Sequence, residues 1–248
     1  MDDLDRTTVL GKAVLVLQAF TADDHGVSFA DLRARTGLPK ATLHRTLASL
    51  VGVRLLDRAP DGYHLSRQVF ELGMRAAVER TLLEVATPFL EDVYEATHET
   101  VHLAVREGSE VVYVAKLGGH RQATSPSRIG GRMPLHATAV GKALLAHADE
   151  DTKVAVLTGP LARRTPRTIT APGRLRAQLD RVLTEGVAYE FEESAVGLNC
   201  VAAAVLDGHE RAVAAVSVTG PVTRFHAPRH ATVVRAAAAG ISAVLARR

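Results

Sequence analysis

Ser28-Phe29-Ala30-Asp31-Leu32-Arg33-Ala34-Arg35-Thr36-Gly37-Leu38-Pro39-Lys40-Ala41-Thr42-Leu43-His44-Arg45-Thr46-Leu47-Ala48-Ser49-Leu50 holds two short helical patterns around a Thr-Gly-Leu-Pro joint. A serine followed three residues later by an acid can cap the free N–H groups of a helix start. Gly37 can end that helix, and Pro39 suits the first turn of the next, where its missing donor costs nothing. The second helix, Lys40 to Leu50, sets Leu43, Leu47 and Leu50 on one face at helical spacing. Ala41, Arg45, Ala48 and, more laterally, Thr42 and His44 then face outward. Small residues, a hydroxyl and an arginine on an exposed face suit a DNA groove better than a protein core, and the pair reads as a helix-turn-helix.

Outward from that pair the pattern is consistent. Leu10, Val14 and Leu17 recur at helical spacing and predict an earlier helix that packs through them. Downstream, Gly52 to Arg58 and Tyr63 to Leu65 flank Ala59-Pro60-Asp61-Gly62, and Asp-Gly between short apolar runs predicts a two-stranded wing. Between positions 32 and 58, Arg33, Arg35, Lys40, Arg45, Arg54 and Arg58 meet one acid, Asp57. That local excess is the footprint phosphates need, whereas the net charge of +3 over 248 residues does not describe a general polyanion binder. The candidate DNA-binding residues are Ser28, Lys40, Ala41, Thr42, His44, Arg45, Arg54 and Arg58. Thr42, His44 and Arg45 are expected on bases, and Arg54 and Arg58 on phosphates or the adjacent minor groove.

Composition bounds the rest. Nearly half the residues are hydrophobic and about a quarter charged, which describes a globular chain. One cysteine excludes an internal disulfide and agrees with a reducing compartment. Met1-Asp2-Asp3-Leu4-Asp5 lacks the basic start and apolar run of a signal peptide, and no apolar run has membrane-spanning length, so a cytoplasmic protein is expected.

Residues 67–80 predict a connecting helix with Val69, Phe70, Leu72 and Met74 among charges. Leu82, Val85, Ala86, Phe89, Leu90 and Val93 continue at helical spacing past Pro88, mostly as core and also as a possible dimer seam. From Thr97 the period becomes two: Val101, Leu103 and Val105 alternate, Glu107-Gly108-Ser109 turns, and Val111 to Leu117 returns. A Gly-, Ser- and Arg-rich loop spans Gly118 to Arg132, and Pro134 to Ala146 reads as a strand end running into a helix. Arg174 to Glu185 is a helix with Leu175, Leu179, Val182 and Leu183 inward. Val187 to Phe191, Cys200 to Leu206 and Ala212 to Val218 are strands, and Thr232 to Ala246 a closing helix. The mixture predicts an α+β domain around an antiparallel sheet.

This second part suggests binding. Val213, Ala215, Ser217 and Thr219 share a strand face, and an odd-sum register with the preceding strand would set Cys200 beside Ser217. The helix near Thr138 offers N–H groups to a carboxylate, and Glu190 could accept from a hydroxyl or amine. The plainer reading makes Cys200 a small core residue and leaves the hydroxyls satisfied by backbone.

Over essentially its full length the chain resembles the IclR family of bacterial transcriptional regulators. The likeness rests on Leu38-Pro39-Lys40-Ala41-Thr42-Leu43-His44-Arg45, on Gly131-Arg132-Met133-Pro134-Leu135-His136-Ala137-Thr138-Ala139-Val140-Gly141-Lys142, and on Glu192-Glu193-Ser194-Ala195-Val196-Gly197-Leu198-Asn199-Cys200-Val201-Ala202-Ala203, in that order. It implies a winged helix-turn-helix domain (1–66), a linker helix (67–80) and a GAF-like α+β effector-binding domain (81–248). It further implies dimers that can pair into tetramers, operator DNA as one partner, and a small organic acid or related metabolite as another. Carried over by position, the effector contacts are Ala139, Val140, Glu190, Cys200, Ser217 and Thr219. Val140 is bulkier than the small residue sometimes found there, and Asn199 replaces a frequent arginine.

The expected function is a repressor of a catabolic or transport operon, released by its effector. An activator of the same architecture is the alternative. An enzyme using Cys200 is a third reading, against which no nucleophile motif appears and no basic residue adjoins Cys200. His98 and His102, four apart at a helix-to-strand change, read as surface residues more readily than as a metal pair. No metal or cofactor is expected. A structural nucleoid protein disagrees with the near-neutral total charge.

Overall fold

The structure, a computed structural model, describes residues 5–21, 23–73, 75, 77–118 and 125–247. Met74, residues 1–4 of the acidic start and residues 119–124 of the expected loop lie outside these. The chain divides near residue 77 into two compact units.

In the first unit, α1 (Val9–Gln18), α2 (Phe29–Thr36) and α3 (Lys40–Gly52) enclose a core of Val16, Val27, Leu32, Leu38, Leu43, Leu47, Leu50 and Leu56. Ser28 caps α2: its Oγ accepts from the Asp31 N–H at 3.1 Å and donates to Asp31 Oδ2 at 2.6 Å. Gly37 closes α2 in the left-handed region at φ 67°, donating its N–H to the Arg33 carbonyl. Pro39 stands one residue before α3, where its carbonyl accepts from the Leu43 N–H. The wing is β1 (Leu56–Ala59) against β2 (Gly62–Leu65), turned by Pro60 and Asp61. Val27 bridges to Tyr63 across Gly62, where a Cβ would sit 2.6 Å from the Val27 carbonyl oxygen.

The phase of α1 differs from the expectation. Val16 is buried and Ala13 and Leu17 pack beside it, while Leu10 is 78% exposed and Val14 also faces outward. The connection is not one helix either: α4 (Arg67–Gly73) ends before α5 (Ala77–Thr97) begins.

The second unit is a six-stranded antiparallel sheet among the described residues, made of β3 (Thr100–Glu107), β4 (Glu110–Leu117), β5 (Arg132–Pro134), β6 (Ala188–Phe191), β7 (Leu198–Leu206) and β8 (Ala212–Pro221). Their order is β5-β4-β3-β8-β7-β6. Both faces are covered. Val101, Leu103, Val201, Val216 and Val218 meet Leu82, Val85, Leu90 and Val93 of α5, with Val234 and Ile241 of α9 (Ala231–Leu245). Ala104, Val111, Cys200, Ala202 and Ala215 on the opposite face meet α6 (Ala139–Ala146) and α8 (Pro172–Glu185). Each fully buried Leu or Val contributes about 1.5–3 kcal/mol, so the two-sided burial holds the central strands β3 and β8 in place.

The short helix α7 (Glu150–Thr158) was not expected. In α8, Leu175, Leu179 and Val182 are buried but Leu183 is 51% exposed, because the inward stripe is narrower than its apolar residues suggest. Among the described residues no helix is long and apolar enough to cross a membrane.

Candidate functional site

In the first unit the outward face of α3 follows from its inward one. Leu43, Leu47 and Leu50 are in the core, so Lys40, Ala41, His44 and Arg45 are exposed and Thr42 is half-buried. Arg54 is exposed beyond the end of α3 with φ 60°, and its carbonyl accepts from the Ser66 hydroxyl. Arg58 projects from β1 over the Tyr63 ring, its guanidinium carbon 5.8 Å from the ring centre. Two expected cationic or polar positions have structural work instead. Arg35 binds Asp24 at 2.6 and 2.9 Å and the Ala19 carbonyl at 2.9 Å. Ser28 is the α2 cap, with its hydroxyl engaged by Asp31. Lys40, Arg45, Arg54 and Arg58 remain a basic, solvent-facing set.

The second unit contains a cavity of about 20 Å³, the room one water takes up. Its floor is the face of the sheet that carries His102, Tyr113, Cys200 and Thr219. Thr138, Ala139 and Val140 form one wall, Glu190, Ser194 and Leu198 another, and Ser125, Pro126 and Ser127 cross it. The Thr138 Oγ caps α6 by accepting from the Gly141 N–H at 3.1 Å, which sets the first-turn N–H groups of α6 at the cavity. Ala139, Val140, Glu190, Cys200 and Thr219 therefore come together. Ser217 does not line the cavity; it pairs with Ala202 on β7 and His102 on β3. The strand register opposes Cys200 to Thr219, not to Ser217 as expected, and the Thr219 hydroxyl donates to Cys200 Sγ at 3.1 Å.

Burial governs the electrostatics. It pushes the Glu190 carboxyl up to about 7, against the Ser194 and Glu193 N–H groups that donate to its Oε1 at 3.0 and 2.6 Å. It pushes the Cys200 thiol up to about 12, helped by Glu190 and opposed by the Thr219 and Ser217 hydroxyls. A thiol held so high is not a nucleophile near neutral pH. His102 is lowered to about 3 by burial and by Lys116, so its ring is neutral. Behind the cavity the buried Lys142 ammonium on α6 bonds Glu193 at 2.7 Å and Gln178 at 2.8 Å, tying α6 to the 192–197 turn.

His102 corrects the sequence reading most sharply. It is 2% exposed, not a surface residue, and its Nε2 lies 2.7 Å from Ser127 Oγ. Tyr113, Ser125, Ser127 and Ser194 were also missed. Alternation along β3 would have placed His102 in phase with Thr100 and Ala104, but that face was not expected to be covered.

Two family models match the chain: the IclR helix-turn-helix domain over residues 9–60 and the bacterial transcriptional regulator IclR C-terminal domain over residues 74–243. The chain is 32% identical over 234 residues to the HTH-type transcriptional regulator KdgR of Escherichia coli (strain K12), covering 92% of this chain and 89% of that protein. It is 33% identical over 243 residues to the HTH-type transcriptional repressor AllR of Klebsiella pneumoniae, covering 95% and 89%. Among solved structures, an IclR homolog from Microbacterium hydrocarbonoxydans complexed with 4-hydroxybenzoate superposes with a TM-score of 0.90 at 30% identity, over 97% of this chain and 100% of that one.

Proposed function

The chain belongs to the IclR family of bacterial transcriptional regulators, and from that membership we propose a cytoplasmic repressor of a catabolic or transport operon, released by a small organic acid. Residues 1–66 read the operator, 67–80 connect, and 81–248 sense the metabolite. Arg45, His44 and Thr42 contact bases from the major groove, Lys40 and Ala41 sit at the helix entrance, and Arg54 and Arg58 hold phosphates or the minor groove. Ser28 is assigned to capping α2 rather than to DNA. The working species is a homodimer or a pair of dimers, which sets recognition helices on successive turns of the duplex.

The observation that carries this reading is the solvent-facing basic set of Lys40, Arg45, Arg54 and Arg58, turned outward by the core that Leu43, Leu47 and Leu50 build. The sensing half is supported by the cavity, where α6 N–H groups suit a carboxylate. It is also supported by the organic acid in the Microbacterium hydrocarbonoxydans homolog. Ser217 supports the site through its contact with Cys200, from a position between Ala202 and His102 on the same sheet face. The high, buried thiol argues against Cys200 as a nucleophile, and binding is the reading that remains for the cavity.

Fluorescence anisotropy on fragments of the promoter beside the gene, at physiological ionic strength, tests the proposal. Selective binding over random duplex is expected. Arg45→Ala should level that preference and leave weak, salt-sensitive affinity, since one bidentate arginine contact supplies about 1–3 kcal/mol of discrimination. Arg35→Ala should instead lower the melting temperature and keep the preference. Equal binding of promoter and random duplex by the intact chain overturns the proposal.

A further inference from the structure

We propose that the second unit holds a second ligand site, a groove between the 163–170 loop and the start of α8 that binds a phosphate ester. Its lining shares no residue with the cavity beside α6 or with the first unit.

Between Asp151 and Asp180 the chain carries Lys153, Arg163, Arg164, Arg167, Arg174 and Arg176 and no acid, a local excess larger than the +3 of the whole chain. The fold brings Arg163, Arg167 and Arg174 to one groove of about 470 Å³, a size that small molecules occupy. Arg163 and Arg167 flank a fixed turn. In it the buried Thr165 hydroxyl donates to the Glu192 carbonyl at 2.6 Å, and the buried Thr168 hydroxyl to the Glu193 carbonyl at 2.7 Å. The Arg163 guanidinium donates to the Pro166 carbonyl at 3.1 Å and the Thr170 hydroxyl at 3.3 Å. Neither Arg163 nor Arg174 meets a carboxylate among the described residues. Arg167 pairs with Glu192 at 3.1 Å, but its side chain is 68% exposed, where such a pair contributes little. Glu193 is the acid on the lining, and Lys142 neutralises it at 2.7 Å. The groove is therefore cationic.

The ligand's chemistry follows from that charge. A carboxylate brings two oxygens and one charge, whereas a terminal phosphoryl group brings three oxygens and about two charges. The second matches two guanidiniums without a carboxylate and a third that is weakly paired, each a fork of parallel donors. Ala171 lines the groove as the residue before α8 and gives that helix no side-chain cap, so the positive helix end adds to the attraction. A duplex phosphate is a diester with one charge and matches the set less well. Phe191, 41% exposed, and Ile169 line the same groove and offer apolar surface to the organic part of an ester, which inorganic phosphate would leave uncovered.

The test is calorimetric titration of the full chain with AMP, glucose 6-phosphate and phenyl phosphate, against adenosine, glucose, phenol and inorganic phosphate. At least one ester should bind more tightly than both its unphosphorylated counterpart and inorganic phosphate. Arg163→Gln and Arg174→Gln should each weaken that ester roughly tenfold or more, the scale of a charged hydrogen bond. Arg174→Lys, which keeps the charge and loses the fork, should fall between. Arg176→Gln removes an equal charge from α8 at its pair with Glu150 and should leave the affinity within about twofold. An equal loss in Arg176→Gln means attraction by net charge alone and overturns the site. So does an affinity unchanged in folded Arg163→Gln and Arg174→Gln variants, which places the ester elsewhere. Inorganic phosphate binding as tightly as every ester overturns the organic part. Failure of all three esters to bind overturns the proposal, and if the two groove variants then lower affinity for random duplex, the groove is a DNA contact instead.

Discussion

Glu190 illustrates how one residue's surroundings set its chemistry. Its carboxyl is buried, faces Lys142, Glu193 and the Cys200 thiol, and takes two backbone N–H groups, yet burial outweighs these and raises it from 4.5 to about 7. The native state therefore holds a proton that the unfolded chain releases. That contribution to stability is fully present below about pH 4.5 and is lost as the pH rises through about 7. Glu190→Gln keeps an acceptor for both N–H groups and removes the titration. Its melting temperature relative to the unsubstituted protein should thus rise between pH 5 and pH 8. Parallel melting curves for the two proteins across that range would contradict the assignment. The ionised carboxylate also repels an anionic ligand, so acid affinity should fall over the same window.

At the scale of elements, the ends of helices were legible and their buried faces less so. α2 and α3 could be read because Ser28, Gly37 and Pro39 mark their limits and three leucines fix one face. α1 could not be phased: Val9, Leu10, Ala13, Val14, Leu15, Val16 and Leu17 surround the whole axis, so periodicity does not choose between stripes. The β7–β8 pair was read with the right parity but two residues out of register. Leu206 pairs with Ala212, one residue beyond the partner that a turn of Asp207 to Glu210 would give, and a bulge between Val205 and Leu206 adds one more, which together move Cys200 from Ser217 to Thr219. His102 was invisible for a topological reason, since α6 and the 125–127 segment cover a face of β3 that alternation alone leaves open. The cap of α6 is the element on which the cavity depends most. Thr138→Ala should cost about 1 kcal/mol in chemical denaturation. It should also weaken acid binding, because the first-turn N–H groups lose the side chain that positions them. An unchanged denaturation midpoint would show that the 3-10 turn Leu135–Ala137 holds α6 without its cap.

For the whole molecule, control requires that the acid favour one arrangement of the protein over another, since a ligand that binds two states equally shifts nothing. Moving a regulator from 99:1 to 1:99 takes about 5.5 kcal/mol of selectivity, or about 2.7 from each of two cavities in the proposed dimer, a factor of roughly 100 per site. Linkage makes this reciprocal: whatever factor the acid removes from operator affinity, saturating operator must remove from acid affinity. Titrating the acid into free protein and into the operator complex should therefore give two per-site dissociation constants whose ratio, squared for the two cavities of the proposed dimer, matches the loss of operator affinity measured by anisotropy. Identical constants with and without operator would mean that cavity and DNA face are energetically independent, and regulation by this ligand would then be excluded however tightly it bound.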